Sequence, residues 1–259
     1  IVLGLIMGLI TMWWEYHHQG TQGKEFAFSA MERIIIASRA LWFYPYKLIW
    51  PTSLTFSYPR WELNPTNILE YRWLALSIIV MATLWRYRNI ADKGLIVAIA
   101  FFVANLTPML GFISLYTFRY TFVADHYQYI ASIGLIAVFA AAITQASGAR
   151  FKTQLIFSFL VLTVLGIMTW RQTHIYIDAE TLWRDTIKKN QYSWMAHNNL
   201  GNVLAKDRRI EEAIKHYRET LRLKPDYAEA HYNLGKALVK IGKVEEAVVS
   251  YSEAVLIYP

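Results

Sequence analysis

The sequence predicts an all-α protein in two parts: a polytopic transmembrane helical domain over residues 1–176, then a helix–turn–helix solenoid over 177–259. Three observations lead there. Long uncharged apolar runs fill the first part, a 34-residue period fills the second, and charged residues are scarce. Of 259 residues, 55% are hydrophobic and 17% charged, with a mean hydropathy of +0.24. A domain soluble throughout carries about 25% charged residues. The absence of cysteine excludes a disulfide scaffold, a thiolate zinc site and a cysteine nucleophile. The net charge of +7 is not a nucleic-acid signature once it is divided. Residues 1–176 hold 13 Lys+Arg against 7 Asp+Glu, and residues 177–259 hold 13 against 12. The surplus lies beside the apolar runs, where no basic stripe for a phosphate backbone forms. Ile1 opens in an apolar run with no charged n-region, so this run is not expected to be a signal peptide. Pro259 closes at a repeat boundary, and the sequence is expected to be a piece of a longer protein.

A span needs about 20 apolar residues. Five candidates occur, near 1–14, 68–85, 94–118, 127–149 and 153–170. No charge interrupts 94–118 or 127–149, whereas 68–85 carries Glu70 and Arg72 near one end. Trp13, Trp14, Trp73, Trp85 and Trp170 fall near span ends, as an interfacial aromatic belt requires. Arg86, Arg88 and Lys93 lie in one connection, and Arg150 and Lys152 in another two spans on. The connection between these, Arg119 to His126, has a single arginine. The positive-inside rule therefore places the first two in the cytoplasm, and the aromatic loop 15–67, the 119–126 loop and everything after Trp170 outside. Within 15–67, the stretch from Met31 to Trp50 mixes charges with aromatics and reads as an interfacial or re-entrant helix.

The second part superposes on itself. His197, Asn199, Leu200, Gly201, Ala213, Tyr217 and Pro225 recur 34 residues later as His231, Asn233, Leu234, Gly235, Ala247, Tyr251 and Pro259. That period is the length of a tetratricopeptide (TPR) unit. Small residues at Gly201, Ala213, Gly235 and Ala247 let two helices cross closely. Tyr217 and Tyr251 fill the groove between them, and Pro225 ends a unit. Units are expected over 194–225 and 228–259. Ala179, Trp183 and Thr186 share the register of Ala213, Tyr217 and Thr220, so 177–193 reads as a preceding half unit. Such a stack is expected to bind a protein or peptide.

Two clusters outside the repeat can carry chemistry. The segment 119–129 sets Arg119, Asp125 and His126 between two apolar runs. A guanidinium and an imidazole at a membrane surface suit an anionic headgroup or a lipid-linked phosphate, with membrane lipid as the surroundings. The alternative is an Arg119–Asp125 ion pair pinning a short loop. The second cluster interleaves Arg39, Lys47 and Arg60 with aromatics, which can hold a polyprenyl phosphate or a sugar ring, or can serve only as interfacial anchoring. Glu15, His17 and His18 do not have a recognised metal spacing, and no metal site is expected. Pro108 is expected to kink the 94–118 span. No G-x-S-x-G, Walker A, G-x-G-x-x-G or H-E-x-x-H motif occurs.

The segments Arg39-Ala40-Leu41-Trp42-Phe43-Tyr44, Tyr58-Pro59-Arg60-Trp61 and Arg119 to His126, with a last span running into TPR units, carry a resemblance. Together they resemble bacterial TPR-containing membrane proteins of the GT-C superfamily, similar to the eukaryotic transmembrane-and-TPR O-mannosyltransferases. The resemblance implies a glycosyltransferase that takes a polyprenyl-phosphate sugar as donor and transfers it to a hydroxyl, including protein Ser or Thr. It also implies a bacterial inner-membrane location, with the repeats outside recruiting acceptor or partner. Arg119 and His126 would contact the donor phosphate, Asp125 would orient one of them, and Arg39, Lys47 and Arg60 would assist. Members of that family carry their catalytic acid in the first extracytoplasmic loop, ahead of the segment matched here. None of the acids present is nominated for that role, and this piece alone is expected to be inactive. The rival readings are a non-enzymatic membrane-anchored TPR scaffold and a surface-polysaccharide polymerase or ligase.

Overall fold

The computed structural model describes residues 13–14, 24–89, 92–146 and 151–258, and all regular structure among them is helical. The chain divides into two units. Unit 1 is Ile1–Leu54 with Arg60–Gly166, and unit 2 is Thr55–Pro59 with Ile167–Pro259.

Unit 1 holds α1 (Ala30–Ile49), α2 (Arg72–Arg86), α3 (Lys93–Leu106) and α4 (Ser132–Ala146). Helix α1 starts where Ser-x-x-Glu can form a capping box. Glu32 N–H donates to Ser29 Oγ at 3.3 Å, and Ser29 N–H donates to Glu32 Oε2 at 2.7 Å. The sequence-predicted loop 15–67 thus contains a 20-residue helix, and Ile35, Ile36, Ala40 and Tyr44 on it are fully buried. Trp42 Nε1–H donates to Ser77 Oγ at 2.9 Å, joining α1 to α2. Asp92 caps α3 by accepting from Gly94 N–H at 2.7 Å. Helices α3 and α4 cross closely, because a Cβ at Gly134 would stand 2.5 Å from the Ala98 carbonyl oxygen.

The uncharged run 94–118 is not one helix. It is α-helical only to Leu106, turns 3-10 over Thr107–Met109, and breaks at Gly111, whose φ is +93°. Pro108 cannot donate into the helix, and the left-handed backbone at Gly111 completes the break. The run 127–149 likewise begins its helix only at Ser132, after a 3-10 turn over Asp125–Gln128. Among the described residues, the two helices long and apolar enough to cross a membrane are Ile68–Arg86 and Phe151–Tyr176, and no part of the apolar window of either is buried against protein. The second contains α5 (Phe151–Thr173). The two overlap the candidate runs 68–85 and 153–170, and charge counting does not see where the runs 94–118 and 127–149 break. The candidate span 1–14 lies outside the described residues except for Trp13 and Trp14, and Glu15, His17 and His18 lie outside them altogether.

Unit 2 holds α6 (Ala179–Lys189), α7 (Trp194–Lys206), α8 (Ile210–Leu223), α9 (Ala228–Lys240) and α10 (Val244–Ile257). Both ends of α9 and α10 fall 34 residues after those of α7 and α8. The period therefore sets element boundaries as well as side chains. A Cβ at Gly201 would meet the Tyr217 ring at 2.6 Å, and one at Gly235 the Tyr251 ring at 2.8 Å. Each tyrosine lies flat where only glycine leaves room. Leu200, Leu204, Ala213, Tyr217, Leu234, Leu238 and Ala247 form one buried core, with Trp183 packed against it. Trp183 has no glycine helix in front of it, and Phe56 packs edge-on against it at 5.1 Å. Asn190 Nδ2 donates to the Ser57 carbonyl at 3.2 Å beside this contact. The turn between α7 and α8 puts Arg208 at φ +63°, and the matching turn between α9 and α10 puts Gly242 at φ +77°. Pro259 lies outside the described residues.

Candidate functional site

In unit 1, aromatic rings from three separate segments stack into one ladder. Phe28 meets Phe122 edge-on at 5.5 Å, Phe122 meets Trp61 at 5.9 Å, and Trp61 meets Phe43 at 6.2 Å. The rings close because α1 presents Phe43, the following loop returns Trp61, and the short turn Tyr116–Arg119 delivers Phe122. Phe26, Ile36, Phe118 and Phe122 form the buried base beneath them.

The predicted cations attach to this ladder. Arg60 lies over both Phe28, at 5.5 Å, and Phe122, at 5.2 Å, and its Nη2 donates to the Glu25 carbonyl at 2.8 Å. Arg119 Nε lies 2.9 Å from Glu25 Oε2 in a half-buried ion pair. Arg39 lies over Trp61 at 5.1 Å and pairs with Glu70 at 3.4 Å. Such cation–ring contacts contribute about 0.5–1 kcal/mol each when exposed. Arg60 and Arg119 therefore meet at Glu25, with Arg39 further along the same ladder. Lys47 stands apart at the end of α1. Its buried ammonium donates to the Thr52 carbonyl at 2.6 Å and lies over Phe43 at 5.8 Å, where it fastens the loop that follows.

Asp125 and His126 open the 3-10 turn after the buried run Phe122–Ala124. That run is held by Tyr44, whose hydroxyl accepts from Ala124 N–H at 3.4 Å. Asp125 is half-buried, and His126 is exposed with its ring edge-on to Tyr127 at 4.6 Å. Tyr127 OH donates to Thr117 Oγ1, closing the loop on itself. Gln128 is buried, and its Oε1 has no hydrogen-bond partner among the described residues.

Two further residues organise the site, and sequence reasoning did not single them out. Glu25 receives both Arg60 and Arg119 from segments far along the chain. Arg33 Nη1 donates to the Gly111 carbonyl at 2.8 Å, and its Nη2 donates to Ser114 Oγ at 3.1 Å and the Phe26 carbonyl at 3.4 Å. That fork holds the break in the 94–118 run against α1. The Ser-x-x-Glu pattern at 29–32 was the available signal for Arg33, since it fixes the first turn on which Arg33 sits. No local pattern marks Glu25. Among the described residues, no three His, Asp or Glu side chains gather as metal ligands.

The repeat unit carries its own polar features. His197 Nε2 and the Gln191 carbonyl lie 3.3 Å apart, and His231 Nε2 and the Pro225 carbonyl 2.9 Å apart in the matching place. A carbonyl only accepts, so His197 carries its proton on Nε2 and its Nδ1 is an acceptor. His216 Nδ1, 3.0 Å away, must then donate to it. Burial lowers the pKa of both, His216 to about 4, with the neighbouring imidazole adding to the effect. Burial pushes Tyr217 up to about 12 while its hydroxyl donates to Asn202 Oδ1 at 2.8 Å. A groove of about 360 Å³ opens beside that bond between α7 and α9.

Comparison with known proteins bears on both units. The tetratricopeptide-repeat families match at residues 209–242 and 228–259. Protein O-mannosyl-transferase TMTC1 of Homo sapiens is 28% identical over 215 residues, which are 77% of this chain and 24% of that protein. The Mus musculus protein of the same name is 30% identical over 204 residues, 68% of this chain and 22% of its own length. The chain thus spans about a quarter of the length of these curated relatives. Among solved structures, a mutant of MamA overlaps 64% of this chain and 98% of its own at 20% identity and a TM-score of 0.31. The chain carries tetratricopeptide repeats and is a distant homologue of the TMTC O-mannosyltransferases.

Proposed function

We propose that this chain is part of a membrane glycosyltransferase of GT-C type that moves a sugar from a polyprenyl-phosphate donor to a hydroxyl of a protein acceptor, which its repeats recruit. The observation that carries the reading is the extent of the similarity: 77% of the chain aligns with a named protein O-mannosyl-transferase. That stretch is longer than either unit alone, so it reaches into both. On this reading Ile68–Arg86 and Phe151–Tyr176 lie in lipid, which accounts for large apolar side chains left bare along them, such as Ile78, Met81, Phe159 and Leu162. The repeats face the outside of a bacterial inner membrane.

Arg60 and Arg119 are then the donor-phosphate contacts. Arg119 pairs with the Glu25 carboxylate and Arg60 donates to the Glu25 backbone carbonyl, so a phosphate entering there would replace a carboxylate on the first and a neutral carbonyl on the second. The Phe28–Phe122–Trp61 rings would cover the sugar or the first isoprene units. His126, exposed beside Asp125, is placed to donate to a phosphate oxygen or to orient the acceptor hydroxyl. A second reading, a membrane-anchored scaffold, draws on the same contacts: Arg33, Arg39 and Lys47 already spend their donors on backbone carbonyls.

Sugar transfer separates the two. In vesicles containing the whole protein, a radiolabelled polyprenyl-phosphate sugar and a Ser/Thr peptide report the reaction. Arg119→Lys keeps the charge but loses the two-pronged geometry, and is expected to lower transfer roughly ten- to hundred-fold at normal protein levels. Transfer unchanged in Arg119→Lys and in Arg60→Lys would return the cluster to a structural role.

A further inference from the structure

We infer that Glu25 sets the preference of this site between the lipid-linked donor and the carrier phosphate left after transfer, by repelling the carrier phosphate more strongly. This rests on the proposed donor-phosphate role of Arg60 and Arg119 and adds a selectivity to it. On that reading, transfer breaks the bond between the anomeric carbon and the phosphate oxygen, and the electron pair stays on the phosphate. The acceptor hydroxyl oxygen bonds the anomeric carbon, and its proton passes to solvent. The donor is a phosphodiester with one negative charge, whereas the polyprenyl phosphate left behind carries about two at neutral pH. Arginines alone hold the second more tightly than the first, so an unopposed cationic site fills with product.

Three arginines from separate segments converge on the short turn Lys24–Phe26. Arg119 Nε lies 2.9 Å from Glu25 Oε2, and Arg60 Nη2 donates to the Glu25 carbonyl at 2.8 Å. Arg33 Nη2 donates to the next carbonyl, that of Phe26, at 3.4 Å. Arg33 and Arg60 also lie over one ring, Phe28, at 5.8 and 5.5 Å. Of the three guanidinium contacts to the turn, only that of Arg119 goes to a side chain.

The turn is pinned without the Glu25 carboxylate. Phe26 is buried in the base of the aromatic ladder, and Phe28 N–H donates to the Phe26 carbonyl at 3.0 Å. Arg33 and Arg60 grip main-chain oxygens that any residue would supply. What the carboxylate adds is a negative charge fixed beside Arg119. The two side chains are 28% and 30% exposed, so a ligand can reach them while water screens them only in part. A carboxylate displaced from Arg119 stays close to the phosphate that displaced it, because the turn beneath it does not move. Their repulsion doubles when the charge on the phosphate doubles.

Binding distinguishes this role from a structural one. The whole protein in phosphatidylcholine nanodiscs is titrated at pH 7.5 with farnesyl phosphate and with farnesyl methyl phosphate, by isothermal calorimetry. The two probes share the isoprenoid and the phosphorus and differ by about one charge. Glu25→Gln is expected to tighten the methyl ester roughly three-fold and farnesyl phosphate roughly ten-fold, since one repulsion acts on twice the charge. Both gains should shrink as salt rises. Glu25→Asp keeps the charge and is expected to bind both probes within about two-fold of the parent. Equal tightening of the two probes, or unchanged binding, would overturn the assignment. Weaker binding of both in Glu25→Gln would also overturn it, and would make Glu25 a support for Arg119. If neither the parent nor the variant binds either probe, the phosphate reading of Arg60 and Arg119 fails and this inference with it. If both probes bind without the charge-dependent difference, this inference alone fails.

Discussion

Acidification should loosen the first repeat in a pH window that belongs to its histidine pair. His216 is neutral in the folded chain because burial and the adjoining His197 lower its pKa to about 4. The unfolded chain protonates it near 6.5. A group with a lowered folded pKa of this kind binds more protons when unfolded, so its contribution is complete above pH 6.5 and is lost as pH falls toward 4. With those two values the loss reaches about 2 kcal/mol at pH 5, an upper bound because His216 is only half-buried. His197, also lowered, adds in the same direction. The acids nearby, Glu212 and Glu219, are held below the usual carboxylate range by Arg209 and Arg222, so their contribution is lost only at lower pH. The assay is amide hydrogen exchange of peptides from α7 and α8 in the whole chain, corrected for intrinsic rates. Protection should fall up to about thirty-fold between pH 7.5 and 5. In His216→Leu the fall should be much smaller, although protection at pH 7.5 starts lower because His197 Nδ1 loses its donor. Parallel pH profiles in the parent and in His216→Leu would refute the argument, since the proton uptake would then reside elsewhere.

Two other outcomes follow from the geometry. Arg208→Gly should stabilise the repeat unit by about 1 kcal/mol, read as a higher urea midpoint. Arg208 occupies the left-handed conformation that Gly242 takes in the matching turn, and its exposed side chain can leave without opening the packing there. Cysteines at Asn89 and Lys152 should resist a membrane-impermeant maleimide in intact cells while one at Lys215 reacts, as the loop charges require. The reverse labelling would invert the proposed sidedness.

The 34-residue repeat was legible in the sequence because its determinants are local and recur. Gly201 needs Tyr217 sixteen residues away, Gly235 needs Tyr251 at the same spacing, and no distant residue changes that register. The aromatic and cationic content of segments 39–61 and 119–129 was likewise legible, and the structure sets Arg39 and Arg60 against one row of rings. What those residues do was decided in three dimensions. Lys47 and Arg119 were read alike as phosphate ligands, yet one is folded under its own helix end and the other shares Glu25 with Arg60. Asp125 was the alternative partner for Arg119, and the structure adds Glu25, from the short turn Lys24–Phe26 ahead of α1. The uncharged run 94–118 looked continuous because hydropathy averages over a window, and a proline followed by a glycine at positive φ breaks it regardless of that average. Residues 55–59 have no repeat pattern, yet Phe56 covers Trp183 where the preceding repeat helix is absent. Periodic, nearest-neighbour packing is written in the chain itself. Pairings between segments separated by eighty or more residues depend on which surfaces the fold brings together, and only the tertiary structure settles them.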